Sequence, residues 1–187
     1  MICKELIEQK GKIAVLVCCA PCCCSVAQLL AREGVDATFI FYNPNIFPMR
    51  EYEKRKAEVA RICEKFGIQM VSLDYEPWVF DRAAKGLESE PERGARCGAC
   101  FALRLRRTAA WAKANGCEAF TSTLAFSRWK CARLATKAGG TASKTSGLKY
   151  LDIDWRMGDT LPAHSREIIK ELGIYEQRYC GCRFSYK

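Results

Sequence analysis

Cysteine is the residue type whose number and spacing in this chain could do chemistry. Five of the thirteen cysteines fall within seven consecutive positions, Cys18 to Cys24. A Cys-x-x-Cys pair follows at Cys97 and Cys100, and a Cys-Gly-Cys pair lies near the end at Cys180 and Cys182. Thiols grouped in this way form disulfides, bind metal ions or carry out redox chemistry.

Several features argue against a disulfide framework. The cysteine count of thirteen is odd, and adjacent residues such as Cys18 and Cys19 are poor partners for each other. The first 17 residues mix acids and bases before a short apolar run, unlike a secretory signal, and no stretch has the roughly 18 apolar residues of a membrane span. We therefore expect a soluble cytoplasmic protein with no membrane partner, where thiols stay reduced and serve metal binding or redox chemistry.

The three cysteine groups together offer a large set of metal ligands. Residues three apart on a helix share a face, and Gly181 permits a turn that lets its two neighbours converge. The predicted pool has seven thiols: Cys18, Cys19, Cys22, Cys97, Cys100, Cys180 and Cys182. One tetrahedral zinc ion or one iron–sulfur cluster takes typically four, so seven favours a cluster with an adjacent metal over a zinc staple.

The other cysteines receive less specific interpretations. Cys63 and Cys131 each precede apolar residues at helical spacing, which indicates core packing. Cys23 and Cys24 are ligands, spare thiols or packing residues, and the sequence leaves these alternatives open. Helix N-termini stabilise negative charge, so Cys22, near a predicted helix start, and Cys97 are expected to be thiolates.

The elements that must position these thiols alternate between strand and helix. Buried-strand patterns cover residues 12–19, 37–42, 69–74, 119–124 and 148–154. Helical patterns cover residues 21–33, 48–66, 79–85, 97–116, 127–138 and 165–172, and residues 137–147 read as a flexible basic loop. The sequence thus predicts a single α/β domain over residues 1–187, with an open, mainly parallel sheet flanked by helices, Rossmann-like or HUP-like, and a Cys-rich C-terminal tail.

Ligands of such folds bind at the carboxyl ends of the strands, near the switch in strand order. This rule places residues 18–24 at the expected active site, with residues 43–45 and 121–123 nearby. The first strand-to-helix turn has no glycine-rich phosphate loop, so ATP is not expected there.

The net charge is +9, and residues 104–149 hold ten bases against one acid, Glu118. This block indicates either a polyanionic partner or a solvated basic face.

Five blocks of sequence resemble one family, the cobalamin-independent epoxyqueuosine reductases (QueH). The blocks are LVCCAPC (16–22), FYNPNIFPMREYEKR (41–55), RCGACFALRL (96–105), FTSTLAFSRWK (120–130) and YEQRYCGCRFS (175–185). Two features depart from the family pattern. The family usually has a histidine before the paired cysteines, where this chain has Val17, and it generally lacks Cys23 and Cys24.

The resemblance implies a [4Fe–4S] cluster and an additional iron (or zinc) ion, held by the seven-thiol pool. It implies reductive removal of the epoxide oxygen of epoxyqueuosine at the tRNA wobble position, the last step of queuosine synthesis. An electron donor such as ferredoxin or flavodoxin would supply the electrons. The residues expected to contact the base are Tyr42, Asn43, Asn45 and Arg55; those expected to contact a phosphate are Lys130 and Arg178; the candidate proton donors are Tyr179 and Asp154.

Two alternatives compete with this interpretation. One is a zinc-stapled α/β protein that binds RNA without catalysis. The other is a thiol–disulfide oxidoreductase that uses Cys97 and Cys100, although such a pair normally lies in a thioredoxin-like βαβ unit rather than after a polar loop.

Overall fold

The structure is a computed structural model that describes Leu6 and residues 11–186. Five strands form one sheet: β1 (Ile13–Val17), β2 (Ala37–Phe41), β3 (Gln69–Ser72), β4 (Ala119–Ser122) and β5 (Lys149–Tyr150). Between residues 11 and 186 the helices are α1 (Cys24–Arg32), α2 (Met49–Phe66), α3 (Pro77–Ala84), α4 (Ala95–Ala114), α5 (Ala132–Ser146) and α6 (Thr160–Leu172). Short 3-10 turns cover Ala20–Cys22 and Arg183–Ser185.

The sheet has the order β3-β2-β1-β4-β5, and every pairing is parallel. The chain runs outward from β1 through β2 to β3, then crosses back to place β4 on the other side of β1. The switch in strand order therefore lies between β1 and β4, where such folds bind ligands. The predicted α/β domain with a parallel, Rossmann-like or HUP-like sheet is confirmed.

Side-chain alternation along the central strand builds two cores, one on each face of the sheet. In β1, Ile13, Val15 and Val17 enter one core, and Ala14 and Leu16 enter the other. The first core lies under α1, α2 and α6, and the second under α3, α4 and α5. All five residues of β1 are buried, which explains why the strand reads as a continuous apolar run.

The prediction for residues 127–147 was wrong. Instead of a helix over 127–138 followed by a loop, α5 begins at Ala132 and continues through the glycine pair to Ser146. The small side chains that resemble a linker allow close packing: Gly139 lies against the ring of Tyr150 in β5. Gly147, with φ +78°, ends the helix.

Among the other elements, the largest differences from the predictions concern one helix and one strand. Helix α6 starts at Thr160 rather than 165, so His164 lies inside the helix on its exposed side. Strand β5 pairs over only two residues, Lys149 and Tyr150, rather than over the predicted 148–154. No helix in the described part of the chain combines the length and apolar character needed to cross a membrane.

Adjacent glycines of α5 provide a matched test of this packing. A Cβ on Gly139 would lie 2.2 Å from the Tyr150 ring, whereas a Cβ on Gly140 meets nothing within 4 Å. Gly139→Ala should lower the free energy of unfolding by about 1–3 kcal/mol through overpacking. Gly140→Ala should raise it by up to about 1 kcal/mol, since alanine favours helix. Urea denaturation of both variants measures the difference, and equal responses would contradict the close contact.

Candidate metal centre and active site

Three thiols meet at the exit of β1. The Sγ atoms of Cys18, Cys19 and Cys22 lie within 4.8 Å of one another, and all three residues are buried. Cys18 and Cys19 follow the strand directly, and the 3-10 turn at Ala20–Cys22 brings the third thiol back toward them, with the Cys22 amide donating to the Cys19 carbonyl. The predicted ligand motif is thus a compact thiol group at the switch point.

These thiols line a cavity of about 470 Å³. Cys97 at the start of α4 and Cys180 in the tail contribute to its wall. Cys131, the residue before α5, also lines it and is half-buried, so its interpretation as a core residue was wrong. A usable signal for this residue was present in the sequence, because Cys131 directly follows Lys130, which the family resemblance assigned to a phosphate contact.

The remaining thiols of the pool surround a second, smaller cavity of about 20 Å³. Its wall includes Cys97, Cys100, Cys180 and Cys182. Cys97 and Cys180 line both cavities, so the two groups of cysteines adjoin each other. The structure therefore brings all seven predicted ligands to one edge of the sheet.

Asn45 lies beside this second group. Its side chain is buried and lines the small cavity, and its Oδ1 atom has no hydrogen-bond partner among the described residues. An unpaired buried carbonyl oxygen is unfavourable, so this oxygen is suited to bind a metal ion or to accept a hydrogen bond from a bound molecule. Cysteine sulfur with one adjacent oxygen is a donor set suited to an iron or zinc centre.

Positive charge and hydrogen-bond donors face the sulfur atoms. Lys130 Nζ lies 3.3 Å from Cys18 Sγ, Gln177 Nε2 lies 3.1 Å from Cys19 Sγ, and the Arg93 amide lies 3.3 Å from Cys97 Sγ. Burial disfavours the charged form of Lys130, but negative charge at Cys18 and Cys180 outweighs burial and raises its pKa. Lys130, predicted to contact a phosphate, thus pairs with a thiol inside the site.

The thiol with the lowered pKa is neither Cys22 nor Cys97, the two that were predicted to be thiolates from their positions at helix N-termini. Hydrogen bonds from Cys19 and Cys22, with the positive charges of Lys130 and Arg104, hold the pKa of Cys18 well below its usual range despite burial. The hydrogen bond to Cys18 raises the pKa of Cys22, and burial raises that of Cys97. Of these thiols, Cys18 is therefore the one whose surroundings favour the ionised form.

Arg55 connects helix α2 to the tail. Its Nη1 and Nη2 atoms each donate to a tail carbonyl, those of Cys180 and Tyr179, at 3.0 Å, and its Nε donates to Glu51 at 2.7 Å. Tyr175 also donates to the Glu51 carboxylate at 3.0 Å. Arg55 lines the main cavity, yet the contacts that the structure describes for it hold the tail cysteines in place.

The other predicted base contacts differ in their placement. Asn43 donates to the Val17 carbonyl at 3.0 Å and accepts from Arg104. Tyr42 donates to Glu76 at 3.3 Å, and its carbonyl accepts from Arg104. The Asn43 side chain and the Tyr42 carbonyl fix the ends of β1 and β2 against α4, and neither residue is among the described residues that line the two cavities.

Of the predicted phosphate contact Arg178 and the two candidate proton donors, some line the main cavity and one does not. Arg178 is exposed and lines the main cavity together with Tyr179, whose hydroxyl donates to the Phe47 carbonyl. Asp154 is exposed, accepts from the Arg156 amide at 3.0 Å, and is not among the described residues of the cavity wall. Asp154 is therefore not part of the proposed site.

Cys23 and Cys24 belong to the core. Both are fully buried within the cluster under α1, α2 and α6. Cys24 Sγ approaches the Ser165 carbonyl at 3.8 Å, and burial raises the pKa of both thiols. Of the three alternatives for this pair, packing agrees with its surroundings.

The fold and the thiol centre together define a metal-binding α/β protein with its site at the switch point of a parallel sheet. Residues 13–187 match the family described as epoxyqueuosine reductase QueH, and the chain belongs to that family. It is therefore an oxidoreductase of queuosine biosynthesis. This confirms the predicted enzyme class and corrects the alternative of a non-catalytic RNA-binding protein, and the family name gives no support to a thiol–disulfide oxidoreductase.

Relatives with this name cover most of the chain. The epoxyqueuosine reductase QueH of Histophilus somni is 42% identical over 98% of this chain and 75% of its own length. That of Acinetobacter baylyi is 39% identical over 98% and 84%. That of Thermotoga maritima is 36% identical over 94% and 90%.

Solved structures share the fold at low sequence identity. The U34-tRNA thiolase NcsA of Methanococcus maripaludis, solved with its [4Fe-4S] cluster, superposes with a TM-score of 0.59 at 12% identity, over 95% of this chain and 61% of that one. A predicted subunit of a tRNA methyltransferase from Methanocaldococcus jannaschii gives 0.54 at 13% identity, over 87% and 89%. At these identities the likeness concerns the fold alone.

The contacts of Arg55 predict a positioning role. Arg55→Lys keeps the charge near Glu51 but loses the paired bonds to the tail carbonyls, so unfolding should become easier by about 1–3 kcal/mol. Hydrogen exchange of residues 178–183 should accelerate, and the metal content after reconstitution should fall. Arg61→Lys is the control on the same helix, because the Arg61 side chain is 50% exposed and pairs with Glu58. Unchanged exchange in the tail of Arg55→Lys would contradict this role.

Proposed function

We propose that the chain removes the epoxide oxygen of epoxyqueuosine at the tRNA wobble position, giving the cyclopentene of queuosine. The observation that carries the proposal is the convergence of seven thiols around two adjoining cavities in a member of the epoxyqueuosine reductase family. The reaction consumes two electrons and two protons and releases one water, so it requires a redox-active group and an external electron donor. A ferredoxin or flavodoxin would meet the second requirement.

The two thiol groups support a two-part metal centre. The sulfur atoms of Cys18, Cys19 and Cys22 form one close group, and the four remaining thiols of the pool line the small cavity beside it. These seven residues would hold a [4Fe–4S] cluster and an additional iron or zinc ion, and when bound the centre supplies single electrons and a Lewis-acidic position for the epoxide oxygen. The donors from Lys130, Gln177 and Arg93 would stabilise charge on the bound sulfur atoms.

The cavity also supplies groups for the substrate. Tyr179 lines it, and burial raises its pKa to about 12, so its hydroxyl is protonated at neutral pH; to give a proton to the substrate it would exchange its bond to the Phe47 carbonyl for one to the substrate oxygen. Arg178 offers an exposed cation for a phosphate, with Lys130 as an inner positive charge. Asn45, with its unpaired oxygen, would act as a hydrogen-bond acceptor or a metal ligand beside the second thiol group. Arg55, Tyr42 and Asn43 would orient the walls through the contacts described above.

The proposal is tested by anaerobic reconstitution with iron and sulfide. The loaded protein is incubated with epoxyqueuosine-containing tRNA and dithionite. The tRNA is then digested to nucleosides, which are analysed by mass spectrometry. We expect conversion to queuosine. A fully loaded protein that forms no queuosine would refute the assigned reaction, and a centre that takes up only zinc would refute the redox assignment.

Neighbouring cysteines give a matched comparison. Cys22→Ser should abolish turnover and lower the iron bound per chain, since it removes a sulfur from the three-thiol group. Cys23→Ser should leave iron binding near the wild-type level and lower stability by about 1–3 kcal/mol, because a hydroxyl replaces a thiol in an apolar core. Iron content, the visible absorption spectrum and urea denaturation measure these effects. Loss of iron in Cys23→Ser would show that the ligand set is incomplete.

A further inference from the structure

An exposed tryptophan stands at the rim of the main cavity. Trp129 lies in the segment between β4 and α5, lines the cavity, and is 66% exposed. The contact described for its ring is with the Arg128 guanidinium, 4.9 Å from the ring centroid. Most of a large aromatic surface thus faces solvent beside the site, and no packing within the described residues accounts for its presence.

The backbone that carries this ring is fastened. The Arg93 side chain donates from Nε to the Trp129 carbonyl and from Nη2 to the Arg128 carbonyl, both at 3.0 Å. The next residue, Lys130, is bound to the thiol group through Cys18. The backbone that carries the ring therefore has a fixed position relative to the thiol group, which reduces the entropic cost of using the ring for binding.

The charge around the rim suits a polyanion. Arg93, Arg128 and Arg178 lie at or beside the cavity mouth, and the acidic residue of the described wall is Glu92. An aromatic ring among cations is the arrangement with which proteins hold single-stranded nucleic acid, because bases stack on the ring and phosphates meet the cations. An apolar protein partner would not explain this accumulation of positive charge.

We propose that Trp129 is a stacking platform for a nucleobase adjacent to the modified base in the anticodon loop. The inference rests on the proposed function and deepens it. A base that enters the cavity must leave its stack, and its neighbour loses a stacking partner at the same step. Trp129 replaces that partner at the rim, so it holds the RNA in the register that delivers the wobble base to the metal centre.

The first test measures binding of an anticodon stem-loop that carries epoxyqueuosine. Trp129→Ala should raise the dissociation constant roughly five- to hundredfold, the range for loss of one base–aromatic stack. Trp129→Phe should recover much of the affinity. The control is Trp78→Ala, since Trp78 on α3 is 59% exposed and lies outside the described cavity walls. Iron content and unfolding temperature should match the wild type in all three variants.

A double-mutant cycle separates stacking from a structural effect. Stem-loops with an abasic site on the 5′ or the 3′ side of epoxyqueuosine should bind the wild type more weakly on at least one side. On that RNA, Trp129→Ala should cause little further loss, because the stack is already absent. Wild-type affinity in Trp129→Ala, or an equal loss on intact and both abasic RNAs, would overturn the inference.

The outcomes distinguish this inference from the proposed function. Turnover of the stem-loop by the wild type, with additive effects in the cycle, would refute the stacking platform and leave the reaction intact. If Trp129→Ala and the abasic site have non-additive effects on binding, but the loaded enzyme forms no queuosine, the proposed reaction is refuted and the RNA contact stands. A wild type that does not bind the stem-loop would overturn both.

Discussion

The buried guanidinium of Arg55 is the constraint on which the site depends. The tail from residue 175 onward has little regular secondary structure, and an isolated antiparallel bridge between Cys182 and Ile46 is its main backbone tie to the segment before α2. Arg55 binds two successive carbonyls of that segment, and Glu51 and Tyr175 fix the guanidinium and the start of the tail in turn. Since charge-assisted bonds in a buried site are strong and directional, one helix side chain can place a loop with the accuracy a metal centre requires.

Charge balance explains why so many bases lie near the thiols. A buried thiolate is unfavourable unless cations or hydrogen-bond donors face it. Arg104 is buried and Lys130 lies against Cys18, so two members of the basic block of residues 104–149 serve the interior of the site. The block that the sequence offered as a polyanion surface therefore has two functions. Part of it stabilises sulfur, and part remains at the rim with Arg128 for a phosphate-bearing partner.

Sequence patterns predicted what depends on local periodicity. The strands at 13–17 and 37–41 and the helix at 49–66 follow from apolar runs, a helical stripe and a terminal glycine, so their prediction succeeded within one or two residues. Helix α5 could not be predicted in this way. Gly139 has a low intrinsic helix propensity, and its place in the helix depends on contact with Tyr150, which lies on a separate strand.

In the site, too, local sequence predicts some features, and others depend on contacts between residues far apart in the chain. The position of the first cysteine group was predictable from the rule for parallel sheets, since that group follows a strand exit. Which polar residues face the cavity was not. Asn43 and Tyr42 lie in the same block of sequence as Asn45, yet both form hydrogen bonds with residues elsewhere in the chain: Val17, Glu76 and Arg104. The side-chain oxygen of Asn45 has no such partner among the described residues. Side-chain partners at long sequence separation decide this difference.

The five cysteines at 18–24 fall into two groups according to where their side chains point, not according to their spacing in the sequence. The 3-10 turn directs Cys18, Cys19 and Cys22 toward one another, and the start of α1 then directs Cys23 and Cys24 into the core. Burial raises the pKa of the second pair, so these thiols stay neutral and behave as small apolar side chains. An extra cysteine beside a metal centre is tolerable under one condition: its sulfur must be unable to reach the metal. Packing under α6, against Ser165, meets that condition for Cys24.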